Sequence, residues 1–137
     1  MEASTYPYSV YIKEGIIFCV YHKSDLIVDI EVMKNVIKRR IEIADGKSYP
    51  ILIDARDVKY WTLEARKYGL SNEAHKNAIA YATLLNSSIA RTIVNWALKI
   101  FPVPMPNKLF NNDEEALRWL KQFVDMDEKP SRPLLVF

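Results

Sequence analysis

The segment LIDARDVKYW, residues 52–61, carries two carboxylates and a guanidinium directly after an apolar run. Asp54 and Asp57 could act as a general acid and a general base if their environments separated their pKa values. No serine, cysteine or histidine stands next to them to serve as a nucleophile. An enzyme that uses these two carboxylates is therefore the least favoured hypothesis, and we expect no catalytic residue.

The other reactive side chains are scattered along the chain. Cys19 is the only cysteine, and it lies in a predicted strand, where a small buried hydrophobe is its usual role. Cys19, His22 and His75 lack the close spacing of zinc ligands. The three glycines, at positions 15, 46 and 69, do not form a glycine-rich phosphate loop. We expect neither a metal nor a cofactor.

Length and composition fit one globular domain. The chain has 137 residues, of which 50% are hydrophobic and 26% are charged. We assign residues 1–137 to a single domain, with its core at about 8–124 and a C-terminal tail at 125–137. The formal net charge of +2 is too small to indicate nucleic-acid binding. Lys38, Arg39 and Arg40 form a basic cluster on a predicted helix, but acidic residues interleave with them, so we expect a solvated helix face.

The sequence also favours one cellular location. A single cysteine excludes an intramolecular disulfide and gives no sign of an oxidising compartment. The start of the chain lacks the basic and apolar regions of a secretory signal. The most apolar helical stretch, residues 89–101, is interrupted by polar residues and is too short to cross a bilayer. We expect a cytoplasmic protein without membrane insertion.

The spacing of apolar residues predicts the elements of the first half. Alternation over residues 10–20 predicts a β-hairpin with Gly15 in its turn. Helical spacing follows, from a cap at Asp29 to a left-handed residue at Gly46. Residues 51–53 are continuously apolar, which is typical of a central strand covered on both faces.

The second half alternates helices and strands. Thr62 is a plausible cap for a short helix that Gly69 ends or bends. Residues 78–85 mix small and large apolar side chains, as in a buried strand onto which a helix packs. A helix is predicted over 89–100, after cap-forming residues. A short strand at 108–110 then precedes a last helix, for which Asn112 is the predicted cap.

The predicted order is β-β-α-β-α-β-α-β-α, which indicates an α/β fold. We expect a mixed, mostly parallel five-stranded sheet flanked by helices, with one antiparallel edge. In such a sheet, ligands and partners bind at the loops beyond the carboxyl ends of the strands. Residues 54–57, 85–88 and 111–113 follow three of the strands and should share this edge, which we call the rim.

An apolar strand that ends in aspartate and leads through a short polar loop into a helix resembles the STAS superfamily, whose best-known members are bacterial anti-sigma-factor antagonists. Four stretches are more closely similar to uncharacterised bacterial single-domain STAS-like proteins: RRIEIADGKSYP, PILIDARDVKYWTLEARKYG, AIAYATLL and NKLFNNDEEALRWLKQF. The resemblance covers about residues 8–124. It implies a regulatory domain that acts through protein contacts.

The resemblance also identifies where this chain departs from the antagonists. Their helix after this loop carries a phosphorylatable serine in its first turn, and the matching residues here are Thr62-Leu63-Glu64-Ala65. Glu64 would mimic a phosphorylated side chain, and Thr62 keeps a hydroxyl, but an ordinary helix cap explains Thr62 better. Regulation by phosphorylation is therefore not implied.

The resemblance and the rim together suggest which residues bind a partner. We expect Asp54 to fix its loop by accepting backbone N–H groups from the next helix. For Arg56 and Asp57, a role in partner binding and plain solvation are equally favoured. The predicted partner-binding set is Asp54, Arg56, Asp57, Thr62, Glu64 and Arg66. Ser87 and Ser88 either cap a helix, which is the favoured role, or bind an anion or ligand there.

The predicted function is that of a non-enzymatic regulatory or protein-interaction domain with an unidentified protein partner. A homodimer is expected, because the apolar residues 134–137 gain little unless they dock on this sheet or on a second subunit. The alternative is a small-molecule or lipid-binding domain, since the resemblance extends more distantly to the CRAL-TRIO lobe. That alternative needs a cavity between the sheet and the helix at 89–101, in which a small apolar ligand would bind.

Overall fold

The computed structural model describes residues 7–86 and 103–124 of the chain. The strands are β1 Tyr8–Lys13, β2 Ile16–Tyr21, β3 Leu26–Val28, β4 Tyr49–Asp54, β5 Val58–Trp61, β6 Ala78–Leu84 and β7 Asn107–Phe110. The helices are α1 Ile30–Ala44, α2 Leu63–Gly69 and α3 Asp113–Lys121, with one 3-10 turn at Glu73–His75. The predicted helix over 89–100, Ser87, Ser88 and the tail at 125–137 lie outside the described residues.

The main sheet has five strands in the order β1-β2-β4-β6-β7. The hairpin pair β1 and β2 is antiparallel, and the pairs β2–β4, β4–β6 and β6–β7 are parallel. Glu14 and Gly15 form the hairpin turn with φ of 52° and 80°, which suits the glycine at the second position. The prediction of a mixed, mostly parallel sheet with one antiparallel edge is confirmed, and β4 is its central strand.

Two short segments that were not predicted as strands form a second sheet. β3 and β5 pair in parallel, with Ile27 opposite Tyr60 and Val28 opposite Trp61. The sequence therefore misled about residues 58–61, which are a strand and not part of a polar loop before α2. Because Lys59 and Tyr60 are exposed, this strand lacks the apolar run by which β4 is recognised.

α1 begins where its cap was predicted, with the Val32 amide donating to Asp29 Oδ1 at 2.9 Å. Its end comes at Asp45, which takes the left-handed conformation one residue before Gly46. The expectation for its basic cluster was wrong at one position. Lys38 and Arg39 are exposed, whereas Arg40 is only 3% exposed and faces the sheet.

The helices cover both faces of the main sheet and create two apolar cores. α1 packs with β3 and β5 on the face that carries Ile17, Ile51 and Tyr81. α3 packs on the opposite face through Ala116 and Leu120. Because β4 sends alternate side chains into both cores, its loop is held between two packed layers.

Candidate functional site

The rim assembles from loops that are distant in sequence. Arg56, in the loop after β4, forms a bidentate ion pair with Asp54. Its Nε donates to Oδ1 at 2.9 Å, and its Nη2 donates to Oδ2 at 2.7 Å. The Arg56 backbone amide also donates to Asp54 Oδ1, at 3.3 Å. Asp54 does fix its loop, but its donors belong to Arg56 and not to the next helix as predicted.

Arg56 also ties the β4 loop to the other two loops of the rim. Its Nη1 lies 2.8 Å from Oδ1 of Asp113, the first residue of α3. The Asn86 side-chain amide, after β6, donates to the Arg56 carbonyl at 3.2 Å. The structure thus brings together the three rim segments that the sequence placed at one edge, with Arg56 at their centre.

The charges at this junction stabilise one another. Burial alone would raise the pKa of Asp54, but the hydrogen bonds and charge of Arg56 outweigh it and hold that pKa below its usual value. The hydrogen bonds that Arg56 donates to Asp54 likewise raise the pKa of Arg56. Asp54 is therefore an ionised structural partner of Arg56, and a weak base, at neutral pH.

Asp57 has a different environment from Asp54. Its side chain is exposed, while its backbone carbonyl accepts the Leu26 amide at 3.3 Å and so joins the start of β3. None of the described hydrogen bonds or ion pairs uses the Asp57 carboxylate. The loop fixes the backbone of Asp57 and leaves its carboxylate toward solvent.

The remaining predicted residues lie at the start of α2. Thr62 Oγ1 accepts the Ala65 amide at 3.2 Å, which makes Thr62 the helix cap. Glu64 is exposed in the first turn, where a carboxylate suits the helix dipole. Arg66 is exposed, and its Nε donates to the Trp61 carbonyl at 3.2 Å. The Thr62 backbone amide donates to Val28, so α2 is anchored to the small sheet.

Exposed apolar side chains border these charges. Ile27 and Tyr60 are opposite one another in the small sheet and are 44% and 49% exposed. Leu63, the first residue of α2, is 58% exposed. We call Ile27, Tyr60 and Leu63 the apolar patch. Ile27 could not be recognised from the sequence, because its strand is only three residues long.

Sequence reasoning missed a second group, on the α1 face of the sheet. A cavity of about 180 Å³ is lined by buried apolar residues and by Arg40, His75 and Tyr81. Arg40 Nη2 donates to the carbonyls of Ala74 and Lys76 at 3.0 Å and 2.6 Å. The available signal was helical spacing, because Arg40 stands four residues from both Val36 and Ala44, which are buried.

The other reactive side chains show no catalytic arrangement within residues 7–86 and 103–124. Burial raises the pKa of the Cys19 thiol to about 12, so the thiol is protonated and a poor nucleophile. His22 bonds Ser9 and His75 bonds Tyr81, at opposite ends of the sheet strands. In the same residues, no three His, Cys, Asp or Glu side chains form a metal-binding group. No helix there is long and apolar enough to span a bilayer.

Comparisons with known proteins bear on the fold. A family model described as a domain of unknown function, DUF7793, matches residues 10–124. A crystal structure from Shewanella loihica PV-4 is similar, with a TM-score of 0.60 and 17% identity, covering 82% of this chain and 91% of that one. That protein is an uncharacterised member of the DUF3478 family with a SpoIIAA-like fold. This chain therefore has a STAS-like fold, as predicted. No curated protein matches it in sequence.

Proposed function

This chain belongs to the DUF7793 family, and we propose that it is a non-enzymatic protein-interaction domain that binds its partner through the rim and the apolar patch. The observation that carries the proposal is the apolar patch itself. Its three large side chains are exposed: Ile27 pairs with Tyr60 across the small sheet, and Leu63 follows Tyr60 by three residues. The loop before Tyr60 is held in place by the ion pairs of Arg56. Exposed aromatic and aliphatic anchors within a charged surround are typical of protein interfaces.

The ion pairs of Arg56 support this proposal because they form the surface in advance. A loop that is already ordered loses little conformational entropy when a partner binds. Arg56 and Asp54 then act by holding Asp57 and Tyr60 in place, while Asp57, Glu64 and Arg66 offer charges to the partner. The environment of Asp54 supports a role without catalysis, since its carboxylate is already engaged by Arg56.

A binding experiment with matched variants tests the proposal. We would capture proteins from the native host on immobilised wild-type chain, on a Tyr60→Ser/Leu63→Ser variant and on a Lys38→Ala control. Lys38 is exposed on α1, outside the rim and the patch. We expect a captured protein whose yield falls at least tenfold with the patch variant and is unchanged with the control. A partner that binds both variants equally would overturn the proposal.

Self-association is the second part of the proposal, and β1 supports it. Within the described residues, β1 is an edge strand with β2 as its one strand neighbour. Tyr11 and Ile12 on this strand are both exposed. An edge strand with exposed apolar side chains can pair with a second copy. Light scattering at tens of micromolar should give a dimer for the wild type and a monomer for Ile12→Lys, and a monomeric wild type would contradict it.

Two further predictions, on cellular location and on lipid binding, rest on the sequence alone. A cytoplasmic location is proposed from the single cysteine, which gives no sign of an oxidising compartment. The lipid-binding alternative required the helix predicted at 89–101, which lies outside the described residues.

A further inference from the structure

The most unusual charge in the molecule is Arg40. It is the one buried charged side chain among residues 7–86 and 103–124, at 3% exposure. Its described acceptors are the backbone carbonyls of Ala74 and Lys76, both of which are neutral. The Nε atom is buried and has no hydrogen-bond partner in the part of the chain that the structure describes. None of the described ion pairs includes Arg40.

Among residues 7–86 and 103–124, this arrangement leaves the positive charge of Arg40 without a counter-ion in a poorly solvated place. Burying a charge is unfavourable unless the charge is paired and all its donors are used. Carbonyl dipoles compensate part of that cost, but they do not neutralise the charge. An anion beside the guanidinium would supply both the missing charge and an acceptor for Nε.

The space for such an anion is the cavity of about 180 Å³ between α1 and the sheet, which Arg40 lines. Its apolar wall includes Val36, Ile51 and Ile53. Its polar part is a connected group, because Tyr81 Oη lies 2.8 Å from His75 Nδ1 and 3.4 Å from the Ala74 carbonyl that Arg40 also bonds. The cavity therefore has one charged end and one apolar wall.

His75 provides a second unused polar atom in this cavity. Its Nε2 is buried and has no hydrogen-bond partner among the described residues. If Tyr81 donates to Nδ1, Nε2 carries a hydrogen and is a free donor. If Nδ1 carries the hydrogen, Nε2 is a free acceptor. In the first tautomer, Nε2 can donate to a ligand carboxylate near Arg40. In the second tautomer, Nε2 can accept a hydrogen bond from a ligand hydroxyl.

We propose that this cavity binds a small carboxylate with an apolar body, whose charged group pairs with Arg40 and whose body packs on Val36, Ile51 and Ile53. One buried guanidinium matches one negative charge. Burial, with a smaller contribution from Arg40, lowers the pKa of His75, so the histidine adds no second positive charge at neutral pH. Lys108 also lines the cavity, but it is exposed, with its ammonium over the Phe110 ring.

The size of the cavity sets the size of the ligand. A cavity of about 150 Å³ in another protein accommodates benzene. This cavity therefore has room for one ring or a branched chain of similar bulk, together with a carboxylate. The inference goes beyond the proposed function, since the cavity and the apolar patch share no residue and each site can fail without the other.

Methionine methyl NMR tests the site directly. The chain has four methionines, at positions 1, 33, 105 and 126, and Met33 is among the residues that line the cavity. We would titrate the wild type with butanoate, benzoate and phenylacetate, with their primary amides, and with inorganic phosphate. We expect at least one acid to shift the Met33 methyl signal saturably. The matched amide should bind at least tenfold more weakly, and phosphate should not saturate the signal.

Three variants assign the binding to the cavity. Arg40→Gln removes the charge and should weaken binding of the acid at least tenfold, while Arg39→Gln, at an exposed site, should not change it. Ile53→Phe fills the cavity and should abolish binding with the charge intact. If Arg40→Gln does not fold, Ile53→Phe and the amide comparison decide. The proposal is overturned if no acid shifts Met33 saturably, if amides or phosphate bind equally well, or if Ile53→Phe binds like the wild type.

Discussion

Two arginines in this molecule solve the problem of a partly or fully buried charge in different ways. Arg56 at the rim is 31% exposed and contacts two carboxylates, those of Asp54 and Asp113. Arg40 under α1 is 3% exposed and contacts backbone carbonyls in place of carboxylates. Two carboxylates neutralise the charge of Arg56, whereas none of the described ion pairs includes Arg40. Arg56 therefore has the features of a structural clamp, whereas Arg40 has those of a binding group.

The two arginines also differ in what they connect. Arg56 joins loops that follow three parallel strands, so it fixes the edge where a partner is proposed to bind. Arg40 joins α1 to the 3-10 turn before β6, so it fixes one wall of a cavity. Substitutions at the two positions should separate these roles.

Replacing Arg40 should cost the most stability. Arg40→Ala leaves the carbonyls of Ala74 and Lys76 without their donor and enlarges the cavity, which outweighs the relief of removing an unpaired charge. We expect a loss of about 3 kcal/mol in the free energy of unfolding, measured by urea denaturation. Arg40→Met keeps most of the side-chain volume and should lose less. A loss for Arg40→Ala smaller than for Arg56→Ala would contradict the comparison.

Replacing Arg56 should have an intermediate effect. Arg56→Ala leaves the Asp54 carboxylate, 19% exposed, without its side-chain partner and releases α3 from the β4 loop. We expect a loss of about 1 to 2 kcal/mol, because solvent screens part of the interaction. Arg66→Ala is the matched control, as Arg66 is exposed and donates to one carbonyl, and it should change stability by about 0.5 kcal/mol or less. Equal losses in the two variants would show that the clamp contributes nothing.

Acid should remove the contribution of the clamp. The pKa of Asp54 is lowered in the folded protein, so its stabilising effect is complete above the unfolded value of about 3.9 and is lost as pH falls through the folded value. We expect the stability difference between the wild type and Asp54→Asn to be constant from pH 7 to about pH 5 and to narrow steadily below about pH 4. Urea denaturation at each pH measures it. A difference that stays constant to pH 2 would show that Arg56 does not stabilise the ionised form of Asp54 in the folded protein.

Several features of the fold could be predicted from the sequence. Local signals identified the caps Asp29, Thr62 and Asn112, since a cap is defined by residues three positions apart. The run at residues 51–53 identified the central strand, because a strand covered on both faces has a distinctive composition. From that strand the position of the rim followed.

What the sequence did not predict depends on distant partners. The pairing of β3 with β5 joins two short segments, neither of which has a strong strand pattern. The ion pair between Arg56 and Asp113 joins residues that are 57 positions apart in the sequence. Arg40 was predicted on a solvated face because acidic residues interleave with its basic cluster, although its spacing from Val36 places it on the buried face. The helical spacing of Arg40 from buried residues predicts its burial better than the charge of its neighbours does.

Replacing Asp57 should have the smallest effect on stability and a clear effect on binding. Its carboxylate is exposed, and the bond from Leu26 uses the Asp57 backbone carbonyl, which alanine retains. We expect Asp57→Ala to unfold within about 0.5 kcal/mol of the wild type and to reduce capture of the partner, while Arg56→Ala reduces both stability and capture. Chemical denaturation and the capture assay would be run on the same preparations. A stable Asp57→Ala that binds normally would restrict the interface to the apolar patch, and a loss of more than about 1 kcal/mol would make Asp57 part of the clamp.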